Sequence, residues 1–234
     1  CLAKVHAEFY RLSEDLDFVI STPVDATRAE RRALTSQLKG RVGKIEQELS
    51  LFRIVEPLTG ANNSTQYLAR VGYQSLLGQQ EETIKIEVGL REPLLKPVFS
   101  GMAKTLLLDP ISGQPMVPPF ALHCISREEA MAEKLRAALS RREVAIRDFY
   151  DIDYALRRLD LNPNEPALIA LLRQKLSIPG NDPVDMSGAR LAELRQQLDP
   201  QLKSVLRGQD FVGFNLESAF RTVAAVASLL ESGS

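Results

Sequence analysis

The first compact apolar run of the chain, Leu16, Phe18, Val19 and Ile20, is interleaved at its start with Asp15 and Asp17. The pattern predicts a β-strand entered through two aspartates. Residues i and i+2 of a strand share a face, so the two carboxylates project side by side. Upstream, residues 2–10 mix apolar and polar types without a period and read as the end of a helix. Residues 25–51 turn helical, with Asp25 or Thr27 as N-cap and Glu30 in the first turn, while Gly40 and Gly43 weaken the second half. Three segments of strand character follow, at 51–55, 66–73 and 83–90, with a turn at 78–82 between the last two. In the third, Ile84, Ile86 and Val88 alternate with Lys85 and Glu87, setting an apolar face against a polar one. Another strand is expected at 102–108, a Pro/Gly-rich loop at 109–119 and a last short strand at 120–125.

From Ser126 the pattern is helical to the end. Ser126 and Glu129 form a capping box for a helix running to about Arg142. A second helix at 145–159 carries Phe149, Ile152, Leu156 and Leu159 as a core stripe. Asp148 and Asp151 lie away from that stripe, and Arg147 stands four residues before Asp151. Further helices are expected at 165–176, 188–198, 201–206 and 216–230, punctuated by Pro179, Pro183 and Pro200. The predicted fold class is α+β: a small mixed β-sheet core with flanking helices over residues 1–125, then a helical domain over 126–234.

Composition narrows the functional classes. With 234 residues and 44% hydrophobic content, the chain buries a sizeable core. Lys plus Arg total 29 against 30 Asp plus Glu, so net charge gives no argument for a nucleic-acid or membrane partner, and such a partner must be met by a local patch. Arg28, Arg32 and Lys39, at i, i+4 and i+11, form one candidate strip for phosphates. The competing reading is an ordinary solvated face that also carries Glu46 and Glu48. Cys1 and Cys124 make no disulfide framework and lack zinc-ligand spacing, which suits a reducing cytoplasm. His6 and His123 are the only histidines, so a histidine metal site is not expected, and His123 reads as a packed residue. The longest apolar run, residues 223–230, is far short of the ~20 residues of a membrane span.

The chemistry lies in the carboxylates. Asp15 and Asp17 side by side suit a hard divalent cation, and Mg²⁺ is typically held by one or two carboxylates plus substrate phosphates. A short acidic pair is also a common solvated strand entry. Glu87 on a neighbouring strand would complete an acidic triad; the equal alternative is an exposed ion pair between Lys85 and Glu87.

With RLSEDLDF at residues 11–18 and AEKLRAALSRREVAIRDFYDIDYAL at 132–156, the chain resembles the AbiEii/AbiGii family of nucleotidyltransferase toxins. That family supplies the toxin halves of toxin–antitoxin and abortive-infection systems within the polymerase-β-like superfamily. Asp15 and Asp17 match the family's metal-binding aspartates, and Lys85 and Glu87 its Lys-x-acid strand, where the acid is more often Asp. Lys134, Arg147, Asp148 and Asp151 match its Lys and Arg-Asp-x-x-Asp helix motifs. The resemblance implies a cytoplasmic, Mg²⁺-dependent enzyme transferring NMP from an NTP to an RNA acceptor such as the tRNA 3′ end, with a cognate antitoxin as partner and no membrane role. Asp15 and Asp17 would hold the metal, with Glu87 completing that site or acting as base for the attacking hydroxyl. Ser13, Lys85 and Arg147 would contact nucleotide. Lys134 would reach phosphate, with Asp148 and Asp151 positioning it or Arg147, the competing reading of that last cluster being an inter-helix salt-bridge network. The family also carries a Gly-Gly-Thr/Ser turn shortly before the aspartates, whose N–H groups would cradle triphosphate. No such turn precedes Arg11, and the expectation is that the chain begins just downstream of it and lacks that element of the site. A non-catalytic binding module and an aminoglycoside-type nucleotidyltransferase are the alternatives, because one core serves all three.

Overall fold

Alternation of apolar and polar residues at 83–90 builds a central strand, and the rest of the first sheet assembles around it. The structure, a computed structural model, describes residues 1–13, 15–75, 78 and 80–232. Its contacts divide the chain into two units, Ser13–Leu94 and Cys1–Leu12 with Leu95–Ser234. This division differs from the boundary expected at 125.

In the unit Ser13–Leu94, strands β1 (Leu16–Val19), β2 (Phe52–Ala61), β3 (Gln66–Gln74) and β4 (Glu81–Gly89) form a sheet of order β1-β4-β3-β2. β1 runs parallel to β4, and the other two pairings are antiparallel. The turn expected at 78–82 falls partly outside the described residues. β2 is longer than expected and bulges on either side of Glu56, next to Pro57. Proline, with no N–H to give a ladder, is accommodated at bulges and on edge strands, and β2 is an edge.

The single helix expected at 25–51 is three: α1 (Arg28–Leu34), α2 (Ser36–Val42) and α3 (Ile45–Glu48). Thr27 is the N-cap, in a reciprocal box with Glu30. The break after Val42 falls at Gly43, one of the two glycines noted as weakening that half. Val42 packs with Leu58, Tyr67, Ala69, Val71, Ile86, Val88 and Leu90 to form this unit's core. The apolar residues of β1 do not join it: Leu16, Phe18 and Val19 are each about half exposed, although so apolar a run favours burial.

The other unit opens with a π-helical turn, Leu2–His6, and contains a hairpin of β5 (Phe99–Ala103) and β6 (Phe120–Cys124). The hairpin is tied to the opening turn: the Lys104 amide donates to the Lys4 carbonyl at 3.0 Å, and His6 Nε2 lies 2.9 Å from the Ile125 carbonyl. Hence the hairpin belongs with the helices rather than with the first sheet. β5 starts before the expected 102–108, and Leu108 makes only an isolated bridge with Pro115. His123 is exposed rather than packed, with Nδ1 3.0 Å from the Ser100 hydroxyl.

The helices are α4 (Arg127–Ser140), α5 (Ile146–Arg158), α6 (Pro166–Leu176), α7 (Gly188–Gln197), α8 (Gly208–Val212) and α9 (Leu216–Glu231). Between α7 and α8 a π-helical turn, Leu198–Leu202, and a 3-10 turn, Lys203–Val205, replace the helix expected at 201–206. Met131, Leu135, Leu139, Phe149, Ile152, Leu172, Leu194, Leu202 and Val223 anchor the core. Ser126 caps α4 through the Glu129 amide, but the Glu129 carboxylate does not return the bond. It is fully buried, accepts from the Leu95 and Lys96 amides and pairs with Lys175 at 2.8 Å.

Candidate functional site

In the sheet unit, parallel pairing of β1 with β4 sets Asp17 directly beside Glu87. Lys85, two residues earlier and on the same side of β4, places its ammonium 2.9 Å from Glu87 Oε2 and 3.9 Å from Asp15 Oδ2. Asp15, Asp17, Lys85 and Glu87 therefore form one cluster: the i, i+2 spacing places Lys85 and Glu87 on one side of β4, while Asp15 lies just before β1 rather than in it. The Lys85 amine is held above its ordinary pKa, chiefly by the bond to Glu87; burial opposes this, and the charges of Glu87, Asp15 and Asp17 add to it. Ser13 lies exposed just before the cluster.

Glu87 has a second anchor that sequence patterning gave no reason to single out. Gln66 Nε2 donates to Glu87 Oε1 at 2.6 Å, and Asn62 Nδ2 donates to Gln66 Oε1 at 2.9 Å. The second bond fixes which end of the Gln66 amide faces the carboxylate. Asn62 belongs to the turn Asn62–Ser64, in which three successive non-glycine residues take positive φ of 47°, 55° and 63°. Left-handed backbone is uncommon outside glycine and then normally taken by one residue at a time, with asparagine among the tolerant types. The only signal in the sequence was the Asn-Asn pair.

The donor chemistry of the cluster suits Mg²⁺, since every acidic ligand is a hard carboxylate oxygen. The arrangement fits a cation held by Asp15 and Asp17 and completed by substrate phosphate better than an all-protein triad. Among the described residues no group of three or more His, Cys, Asp or Glu is gathered closely enough to hold a metal, and Glu87 is engaged by Lys85 and Gln66.

In the helical unit a second charged cluster joins α4, α5 and the chain's start. Lys134 Nζ lies 2.7 Å from Asp148 Oδ1 and 3.0 Å from Asp151 Oδ2. Arg11 grips Asp151 with both Nε and Nη2, at 2.8 and 3.2 Å. Arg141 Nη1 reaches Asp148 Oδ2 at 3.3 Å. The two aspartates, expected on the polar side of α5, are buried, and Asp151 is wholly so. Burial of a carboxylate demands a partner; here the partners are Lys134, Arg11 and Arg141, not Arg147, which is part-exposed. Burial pushes the Asp148 carboxyl up, yet Lys134, through charge and hydrogen bond, and then Arg141 and Arg11 hold it below the usual carboxylate range. Burial also opposes the charge on Lys134, but Asp151 and Asp148 raise its amine well above the ordinary value. The cluster thus fixes a protonated amine whose side chain keeps about a quarter of its exposure.

Residues 1–226 match the model of a family described as nucleotidyl transferase AbiEii toxin, type IV TA system. Among solved structures, one described as a candidate nucleotidyltransferase from H. pylori is similar at 17% identity and a TM-score of 0.46, over 96% of this chain and 82% of that one. JHP933 from Helicobacter pylori is similar at 16% identity and a TM-score of 0.46, over 95% of this chain and 77% of that one. No curated protein matches.

Proposed function

The chain belongs to the AbiEii family of nucleotidyltransferase toxins of type IV toxin–antitoxin systems, and from that premise we propose that it transfers NMP from an NTP to an RNA acceptor with Mg²⁺ as cofactor. The observation that carries this reading is the cluster of Asp17, Lys85 and Glu87 on two adjacent parallel strands with Asp15 immediately before the first. Mg²⁺, when bound, would be held by Asp15 and Asp17 and would supply positive charge against the charge that develops in phosphoryl-type transfer.

Asp15 and Asp17 hold that cation in this reading: Asp17 stands in β1, and Asp15 immediately precedes that strand, 3.9 Å from the Lys85 ammonium. Glu87 is the base for the attacking hydroxyl: it is oriented by Gln66 and set beside Asp17 by the β1–β4 pairing, close enough to act on the same reaction centre. Lys85 keeps the acidic residues from repelling one another before substrate arrives, and its ammonium is then released to contact nucleotide phosphate. Ser13 and Arg147 are further nucleotide contacts on the family pattern. Lys134 is the phosphate-contacting cation of the helical unit, with Asp148 and Asp151 as its positioning residues. Their burial leaves them no direct access to substrate, and their bonds to Lys134 are what hold its amine charged and in place. A cognate antitoxin acts as regulatory partner.

The test is incubation of the protein with each labelled NTP, Mg²⁺ and either unfractionated tRNA or aminoglycosides. Labelled tRNA is expected, and Asp17→Asn should reduce transfer by about 10²–10³-fold or more, because Asn keeps the shape and removes the charge that binds metal. Wild-type transfer by Asp17→Asn would refute the assignment. Labelled aminoglycoside, or tight nucleotide binding with no transfer at all, would replace the RNA reading with one of its two alternatives.

A further inference from the structure

The chain as a whole is electrically balanced, with 29 basic and 30 acidic residues, but α1 and α2 are not. Arg28, Arg31, Arg32, Lys39, Arg41 and Lys44 fall within 28–44, where the sole acid is Glu30. Glu30 is spent on the Thr27 cap, accepting from both its amide and its hydroxyl. Arg31 is buried, with Nη2 donating to the Val24 carbonyl at 3.3 Å. The other five cations are exposed, and none forms an ion pair with a carboxylate among the described residues. This contrasts with other cations of the same unit, since Arg53 pairs with Glu81 and Arg70 with Glu56. A face whose charges have no internal partner is a standing positive potential rather than a solvated ion-pair lattice.

The face is also continuous. Although α1 and α2 are distinct, the Thr35 amide donates to the Arg31 carbonyl and the Lys39 amide to the Thr35 carbonyl, at 3.2 and 2.9 Å, so the i to i−4 ladder crosses the join. Arg31, Thr35 and Val42 turn inward. That leaves Arg28, Arg32 and Lys39 along one outer flank, over roughly 16 Å of helix axis at 1.5 Å per residue. The Lys39 amine lies 5.7 Å above the buried Tyr67 ring, which supports the lysine without neutralising it. A line of exposed cations without carboxylate partners, whose one interspersed acid, Glu30, is engaged by the Thr27 cap, matches a repeating anion, and nucleic-acid backbone is the repeating anion that this enzyme would meet as substrate.

We propose that the outer flank of α1 and α2, centred on Arg28, Arg32 and Lys39, is the docking surface for the sugar–phosphate backbone of the RNA acceptor. This rests on the RNA reading above and adds where the acceptor is held. The surface contacts phosphate rather than base edges, so it gives affinity and orientation with little sequence preference.

The experiment is tRNA binding to the intact protein across a salt series, with transfer kinetics alongside. R28Q/R32Q/K39Q should bind unfractionated tRNA at least tenfold more weakly and flatten the dependence of log affinity on log salt by about 2–3, at ~0.7–0.9 for each phosphate that is no longer neutralised. Its KM for tRNA should rise with kcat and nucleotide affinity unchanged. R158Q/R221Q/K203Q removes three charges from other exposed positions and should bind as wild type. Asp17→Asn should bind tRNA normally while failing to transfer. If the triple variant lost its wild-type unfolding midpoint, the single reversal Arg32→Glu would take its place. A wild-type salt slope in R28Q/R32Q/K39Q, in a protein that does label tRNA, overturns the docking surface alone. So does an equal loss of affinity in the control triple. A wild-type protein that labels an acceptor other than RNA overturns the reading beneath it.

Discussion

Glu87 is held by two neighbours of different kinds, and each predicts a different consequence of substitution. Lys85 meets it as a charge, in a pair about one-third exposed, so the pair's contribution to stability is discounted by solvent. Gln66 meets it as a neutral donor whose amide is oriented by Asn62. Groups that orient an active-site ligand typically cost 10–100-fold in activity or metal affinity when removed. Gln66→Ala is therefore expected to lower kcat by about that factor while leaving NTP binding near wild type, which steady-state kinetics will show. Gln66→Glu goes further: it sets a second carboxylate against Glu87, raises its pKa and moves the rising limb of the pH–rate profile to higher pH. A limb that stays in place in Gln66→Glu would argue against Glu87 as the base. The carboxylates and Lys85 were legible because their spacing and alternation are local properties of two strands. Gln66 was not, since a glutamine in a strand looks the same whether it faces solvent or an acid, and only the β3–β4 register, which pairs Leu68 with Glu87, brings it near.

The α4–α5 pair rests on a buried charge network, and it sets the acid limb of stability. Asp151 holds both Lys134 and Arg11, so Asp151→Ala strands two cations; loss of one side of a buried pair costs about 3–5 kcal/mol, readable as a lower urea midpoint. Asp148 has a folded pKa below its unfolded value of about 3.9, so its stabilisation is fully present above that value and is lost as pH falls through the folded pKa. Asp153 runs the other way: burial raises its carboxyl, with Arg157 only partly offsetting this, so it relieves the folded state as pH falls. Asp148→Asn should be less stable than wild type at neutral pH and should converge toward it below about pH 4, in paired urea titrations. The helices themselves were readable from their apolar period and capping residues, and the sequence patterns placed α4 to α7 and α9 close to where they lie. What patterning misassigned was the polar side of α5. A carboxylate three residues from another looks solvated until its partners, one on α4 and one at Arg11, are brought to it by packing. The same holds for Glu129, whose capping-box spacing is real for its amide while its carboxylate serves Lys175 and two distant amides.

The chain leaves the helical unit at Leu12 and returns to it at Leu95, so the sheet unit is an insertion between two anchored ends. The Leu12 amide donates to the Val205 carbonyl at 2.9 Å, and the Leu95 amide is held by the buried Glu129 carboxylate. A boundary placed at 125 follows the switch from strand to helix composition, but composition does not register that a hairpin can belong to helices. Among the described residues each unit has its own cluster of buried apolar side chains. The sheet unit's core is the smaller, and its edge strand β1 keeps Leu16, Phe18 and Val19 about half exposed. Small cores bury a lower fraction of the chain's surface and are correspondingly marginal. Unfolding should therefore take two steps, with the sheet unit opening first. In hydrogen exchange read by mass spectrometry, amides of β1 to β4 should exchange at a lower denaturant concentration than those of α4, α5 and α9. The matching deletion variant replaces residues 13–94 by a short Gly/Ser linker: the remaining unit should keep its helical circular dichroism and a cooperative transition, because its core and the ends that flank the insertion stay intact. A single coincident transition in the whole protein, or a linker variant that fails to fold, would show that the sheet supplies stability the helical core lacks.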